Sequence, residues 1–372
     1  MTSHRIQDLL EAAVAEGIAP GLSAAVAWPD GTDSLFAAGV RGLADPTRMD
    51  PATRFWIASC TKAMTSAAAL QLVERGVLSL DEPVGARVPA LAAPRVLDGF
   101  EADGTPRLRP AAGPITLRTL LTHTSGMAYD FCNADLTRYF AATGESILTP
   151  GAPLVFDPGE RWQYSTSLDA AGWVIEAATG QSLEAYFAEH LLGPLGMADT
   201  TFSPNPDRRA GLHARGPDGA LAAIDAFPQP PALHGGGGLH STAPDYLKFL
   251  RAVMGDGGGG VIGPRAIAWL RESQTGDLAA GELVSANPAF SHDFRPMPGI
   301  DKRHTLGFLR NQADVPGGRR AGALAWGGIA NCYYWADPAS GVAGVLFAQF
   351  LPFADPKMMR TFEAFEQAVY AG

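Results

Sequence analysis

The sequence predicts an α+β fold: an antiparallel sheet built from both ends of the chain, flanked by helices, with a mostly helical lobe inserted. Three observations predict it. A strand–turn–strand pattern lies near the N-terminus, a second lies near the C-terminus, and helical periodicity dominates the stretch between them. On this reading residues 1–55 and 300–372 form the sheet domain, residues 56–299 form the inserted helical domain, and the active site lies between them. A chain of 372 residues is long enough for two cores, or for one large core with a lobe.

The elements follow in order. "MTSHRIQDLLEAAVAEG" reads as an amphipathic helix. "GLSAAVAW", the turn "PDGT" and "DSLFAAGV" form the first hairpin; "NCYYWA", "DPASG" and "VAGVLFAQF" form the second. Helices are predicted at 59–75, closed by Gly76, and at 116–122 with Thr116 as N-cap. Two more follow at 167–179, closed by Gly180, and at 182–192. Thr242 and Asp245 fit a capping box that opens another helix, and "PKMMRTFEAFEQAVYAG" closes the chain as a helix. Residues 203–237, rich in Pro and Gly, are expected to be a long loop. "HGGGG" at 234–238 and "DGGGG" at 256–260 lack the Lys-Ser/Thr of a phosphate loop, so turns or close backbone packing are expected there.

Composition excludes several functions. The net charge of −10 argues against a nucleic-acid or anionic-membrane partner. No apolar run is long enough to span a bilayer, and the start lacks a basic n-region followed by an apolar h-region, so a cytoplasmic protein is expected. The three cysteines, Cys60, Cys132 and Cys332, form no C-x-x-C pair and are expected to be buried apolar residues. The eight histidines form no metal-ligand pattern, and no metal is expected.

One stretch carries chemistry. "WIASCTKAM", residues 56–64, sets Ser59, Cys60 and Thr61 beside Lys62. Residues three apart on a helix lie about 60° apart around the axis, so Ser59 and Lys62 share a face while Cys60 and Thr61 point elsewhere. No charged residue falls between Ala63 and Val73, which makes Lys62 the lone charge on an apolar helix. Burial depresses an ammonium pKa and makes such a lysine a usable base. With 17 serines and 4 lysines in the chain, about 0.18 S-x-x-K matches arise by chance, so the motif alone is weak.

More of the chain bears on it. "FWIASCTKAMTSAAALQLVERGVLSLDEPV" resembles the nucleophile segment of the serine β-lactamase and penicillin-binding-protein superfamily. "ITLRTLLTHTSGM", "LLGPLGMADTTF" and "GGGGLHSTAPDYLKFL" resemble, in order, the segments that follow it in class C-like members. "AWGGIAN" resembles the Trp-Gly-Gly of the family VIII carboxylesterases. The resemblance implies the class C β-lactamase-like fold, with Ser59 as nucleophile and Lys62 and Tyr164 sharing its proton. It implies an oxyanion hole from the N–H groups of Ser59 and Ile329. It places Trp326, Gly327, Gly328, Tyr129 and Asp169 at the substrate. "YSTS" departs from the usual motif, since Thr166 stands where an asparagine is common. His123 and Ser125 of "HTSG", just past a helix end, are read as a structural turn.

The function expected is a serine carboxylesterase acting on uncharged, short-chain esters through an acyl-enzyme on Ser59, without a cofactor. A tryptophan in place of the usual cation cannot pair with a carboxylate, which favours an ester over an anionic lactam. The alternatives on the same site are a β-lactamase, a D-amino-acid peptidase or amidase, and an acyltransferase. An alternative of another class is a non-catalytic binding protein that kept the fold.

Overall fold

A computed structural model describes residues 2–147, 149–224 and 234–371. The chain opens with α1 (Thr2–Ala15), then β1 (Gly21–Ala27), β2 (Asp33–Gly42) and β3 (Asp45–Arg48). The middle supplies α2 (Thr61–Glu74), the short α3 (Leu117–Leu121), α4 (Ser167–Thr179) and α5 (Ala243–Met254). Five strands return near the end: β4 (Lys302–His304), β5 (Leu309–Asn311), β6 (Leu324–Gly328), β7 (Cys332–Asp337) and β8 (Val342–Phe347). The last helix is α6 (Pro356–Tyr370).

These eight strands form one antiparallel sheet in the order β4-β5-β6-β7-β8-β1-β2-β3. Both predicted hairpins are present, with Gly21 opposite Gly39 in one and Cys332 opposite Phe347 in the other. The halves meet where β1 pairs with β8, Ala25 facing Val345. Strands β1, β7 and β8 are buried at every position because helices cover both faces. Helix α5 lies on β1, β7 and β8, while α1 packs on β2 and α6.

Helix α2 is the axis of the helical side. Every residue from Thr61 to Leu72 is buried, so the helix presents no polar face to water. Helix α4 and the helix Pro264–Arg271 pack on it. The caps follow the sequence in part. Thr116 and Thr119 make a complete capping box at α3. Thr242 caps α5, but the Asp245 carboxylate accepts from the Asp199 N–H and from Lys248, leaving only half of the predicted box. The predicted 182–192 helix is α-helical only over Leu183–Phe187 and continues as a π turn.

The stretch expected to be a loop over 203–237 is partly a sheet. His213–Arg215 and Leu221–Ala223 pair with each other, and the first also runs parallel to Phe350–Leu351. Residues 225–233 of that stretch lie outside the described residues. Arg215 anchors this sheet through a 2.7 Å ion pair with Asp355. All three cysteines are free; Cys60 and Cys332 are buried as expected, whereas Cys132 is only half-buried.

A buried ion pair ties α6 to the turn before β6. Arg319 and Glu366 have side chains only 3% and 8% exposed, and Glu366 also accepts the Arg319 backbone N–H at 2.9 Å. Removing one partner strands a charge away from water. Glu366→Ala should therefore lose about 3–5 kcal/mol in denaturant unfolding. Asp314→Ala, which breaks the exposed pair with Arg320, should lose no more than about 1 kcal/mol.

Candidate active site

Ser59 does not begin α2, as the 59–75 prediction had it. It sits in a one-turn 3₁₀ helix, Ala58–Cys60, immediately before α2. The chain enters that turn through Ala58 at φ +44°, a left-handed conformation uncommon for a residue with a side chain. Long-range contacts hold it there. Phe55–Trp56 pairs with His240–Ser241, and the Gln349 side chain both accepts from the Trp56 N–H (2.8 Å) and donates to its carbonyl (3.3 Å). The end of β6 presses on the same turn: a Cβ at Gly328 would lie 2.3 Å from the Ile57 carbonyl oxygen. Only a glycine permits that approach. Ser59 and Ile329 both line one cleft, and neither N–H donates to a backbone carbonyl among the described residues.

Lys62 is 3% exposed. Its Nζ lies 3.2 Å from Ser59 Oγ, 2.9 Å from Tyr129 OH and 2.6 Å from the Gly236 carbonyl oxygen. It also faces the rings of Tyr129 and Tyr164, at 5.1 and 4.9 Å from their centroids. An ammonium donates all three of its hydrogens here. A neutral amine keeps two donations and gains a lone pair that can accept from Ser59. Burial lowers the Lys62 pKa to about 8, opposed mainly by the negative charge of Asp169.

Tyr164, the expected partner of Lys62, is 4% exposed and packs against Tyr129, His123 and Trp326 at centroid distances of 5.2, 5.0 and 4.8 Å. Its hydroxyl makes no well-formed hydrogen bond. Burial pushes the phenol well above its usual range, partly offset by the nearness of Ser59 and Trp326. Tyr129, expected as a pocket residue, is the tyrosine whose hydroxyl bonds Lys62, and burial raises its pKa too.

Trp326, Gly327, Tyr129 and Asp169 line the same cleft of about 440 Å³, whereas Gly328, also expected at the substrate, is not part of its lining and packs against the Ile57 carbonyl instead. Trp326 and Gly327 form one wall, and Tyr129, Thr166 and Asp169 lie along another. Asp169 Oδ1 accepts from the Gly236 N–H at 2.9 Å and pairs with His234 Nδ1 at 3.2 Å. Among the described lining residues there is no lysine or arginine. His123 and Ser125 are structural, as read: His123 Nδ1 bonds Ser165, which bonds Ser167, which bonds Ser125. That buried chain fastens the "YSTS" segment behind the site. Cys60 is packed away, its Sγ against the Cys332 carbonyl.

Three participants were not singled out from sequence. The Gly236 carbonyl holds Lys62, Thr65 Oγ1 donates to the Gly235 carbonyl at 2.7 Å, and His234 braces Asp169. A signal for two of them existed. Thr65 continues the Ser59–Lys62 face by three more residues, and the "HGGGG" run is the backbone this face grips.

A family model described as Beta-lactamase matches residues 6–368 of the chain. The chain belongs to the beta-lactamase family. This beta-lactamase family protein is 35% identical over 350 residues to a monacolin J acid methylbutanoyltransferase of Aspergillus terreus, with 88% of the chain and 83% of that relative covered. It is 33% identical over 329 residues to a lovastatin esterase of Penicillium rubens, covering 82% and 81%. Its structure matches a simvastatin synthase mutant of Aspergillus terreus with a TM-score of 0.90 and 31% identity over 100% of this chain and 97% of that one. The fold alone is shared with EstCE1, a hydrolase with promiscuous acyltransferase activity, at a TM-score of 0.80 and 21% identity. It is a serine hydrolase or acyltransferase of the beta-lactamase family.

Two outcomes follow from this geometry. Gly328→Ala should leave a folded protein with its ester turnover cut at least tenfold, because the Cβ displaces the Ile57–Ser59 turn; circular dichroism and initial rates check this. Lys62 binds fewer protons in the folded state than in the unfolded state between pH 8 and 10.5. Unfolding free energy should therefore rise with pH through that window relative to Lys62→Met, by about 3 kcal/mol at most.

Proposed function

We propose that the protein moves an acyl group from an uncharged ester or thioester donor, through an acyl-enzyme on Ser59, to an alcohol acceptor, with water as the competing acceptor. The observation that carries this reading is the cleft that opens on Ser59 beside a buried lysine, with no lysine or arginine among its described lining residues. An anionic lactam would enter that cleft without a countercharge and lose its hydration. The sequence alone put hydrolysis first; relatives that are acyltransferases by description favour transfer.

In the proposed steps neutral Lys62 takes the Ser59 hydroxyl proton as Oγ bonds to the donor carbonyl carbon. At pH 7 roughly a tenth of a lysine with a pKa of about 8 is neutral, enough for turnover. The N–H groups of Ser59 and Ile329 receive the oxyanion, each donor worth roughly 3–4 kcal/mol in comparable sites. As the tetrahedral adduct collapses, the leaving oxygen or sulfur takes the proton back from Lys62. The acceptor hydroxyl then gives its proton to the same lysine and attacks the acyl carbon; as this second adduct collapses, the bond to Ser59 Oγ breaks and Oγ takes the proton from Lys62, restoring both residues. The lovastatin esterase relative supports a second reading in which water dominates this last step.

One assay separates the readings. Purified protein is given p-nitrophenyl butyrate or a chromogenic cephalosporin, with and without a primary alcohol, and products are quantified by mass spectrometry. The butyrate should turn over faster than the lactam, and the alcohol's butyrate ester should form in preference to butyric acid. Ser59→Ala should lose at least 10³-fold, and kcat/KM should rise with pH to a plateau above about 8, as the lysine loses its proton. Faster lactam turnover, or equal activity in Ser59→Ala, would sink the proposal. Acid as the sole product would assign the protein to the esterase reading.

A further inference from the structure

Lys62 is surrounded by groups that burial holds neutral. Cys60 on the adjoining turn, Tyr129 and Tyr164 are all pushed above their usual pKa, and His123 is pushed below its own. The carboxylate that acts on Lys62 is Asp169 of α4, which also faces Tyr129 and His234. Asp169 does not touch the ammonium. Its Oδ1 takes the Gly236 N–H at 2.9 Å, and the carbonyl of the same residue takes the Lys62 Nζ at 2.6 Å. The glycine is required for this arrangement, since a Cβ there would lie 2.4 Å from Asp169 Oδ2. Because a carboxylate only accepts, the 3.2 Å pair with His234 places a hydrogen on Nδ1 and fixes the carboxylate from its other side.

We propose that Asp169 is a positioning residue for acyl-enzyme formation: acting across the backbone of Gly236 and braced by His234, it orients the carbonyl that holds Lys62 and governs how readily that lysine gives up its proton. This rests on the reading of Lys62 as the base for Ser59. The direct electrostatic consequence is that Asp169 favours the ammonium and opposes burial. The carboxylate thus trades some base at neutral pH for a fixed geometry. Asp169→Asn preserves an oxygen that can accept from Gly236 while removing the charge, so the two contributions separate.

The test follows phosphonylation of Ser59 by an uncharged p-nitrophenyl alkylphosphonate, as mass increase against time, from pH 5.5 to 9.5. In the unmodified protein the rate should rise to a plateau with its limb near pH 8. In Asp169→Asn the limb should move down by about one unit, so that at pH 6.5 this variant keeps several-fold more of its own plateau rate. Gly236→Ala, which expels the carboxylate without deleting it, should move the limb the same way and lower the plateau as well. An unchanged limb in both variants would overturn the inference, whatever happens to the plateau. No labelling of Ser59 in the unmodified protein would overturn the acyl-enzyme reading itself, and the inference with it.

Discussion

One ammonium buried away from water organises this molecule. Lys62 is held by three polar partners and two aromatic faces, and each of those makes a demand on the fold. Helix α2 must be buried on every side, so it must be enclosed by its neighbours, with polar side chains such as Thr65 and Gln71 bonded internally. The "HGGGG" run must come within hydrogen-bonding distance of the helix, so it carries no side chains where Leu168 and Asp169 stand. Tyr129 and Tyr164 must reach the lysine from separate segments, and a chain of buried hydroxyls fixes the segment that carries Tyr164. A buried charge of this kind costs stability, and the same burial raises the fraction of Lys62 that is neutral near pH 7.

The cleft above the lysine expresses the same economy. Among its described lining residues there is no lysine or arginine; Lys62 lies next to it, engaged with Ser59, and the lining mixes aromatic and apolar side chains with Thr166, Asn287 and two carboxylates, Asp130 and Asp169. Trp326 serves two ends at once. It packs on Tyr164 at 4.8 Å and on Phe294 at 5.7 Å, so a residue lining the cleft also steadies the Tyr164 ring.

Much of this was legible in the sequence, for identifiable reasons. The hairpins at both ends were visible because their alternation and turn residues are local signals, and α4 ended at Gly180 as its sequence indicated. The three-residue spacing of Ser59 and Lys62 pointed to their proximity, although Ser59 sits on a 3₁₀ turn before α2 and not on the helix itself. What could not be read depends on distant partners. The break at Ala58–Cys60 follows from β6 and Gln349 pressing on the turn, contacts more than 260 residues away in the chain. The pairing of Lys62 with the Tyr129 hydroxyl, not that of Tyr164, is set by tertiary placement. Asp245 abandoned its cap because Asp199 offered a better-placed N–H. The small sheet at 213–223 exists because Phe350–Leu351 runs beside it, and three-residue strands carry no periodicity of their own.

The seam between β1 and β8 has a consequence in time. The nucleophile's turn is complete within the first sixth of the chain, but Gly328 and Gln349, which press it into shape, are synthesised near the end, and β8 must then close on β1. A growing chain can form α2 and bury Lys62 only loosely before that moment. The turn that carries Ser59 thus reaches its final geometry only when synthesis is nearly finished. Pairing between such distant segments is slow relative to helix formation. The geometry around Ser59 therefore marks closure of the whole sheet and not the folding of the segment that bears the serine.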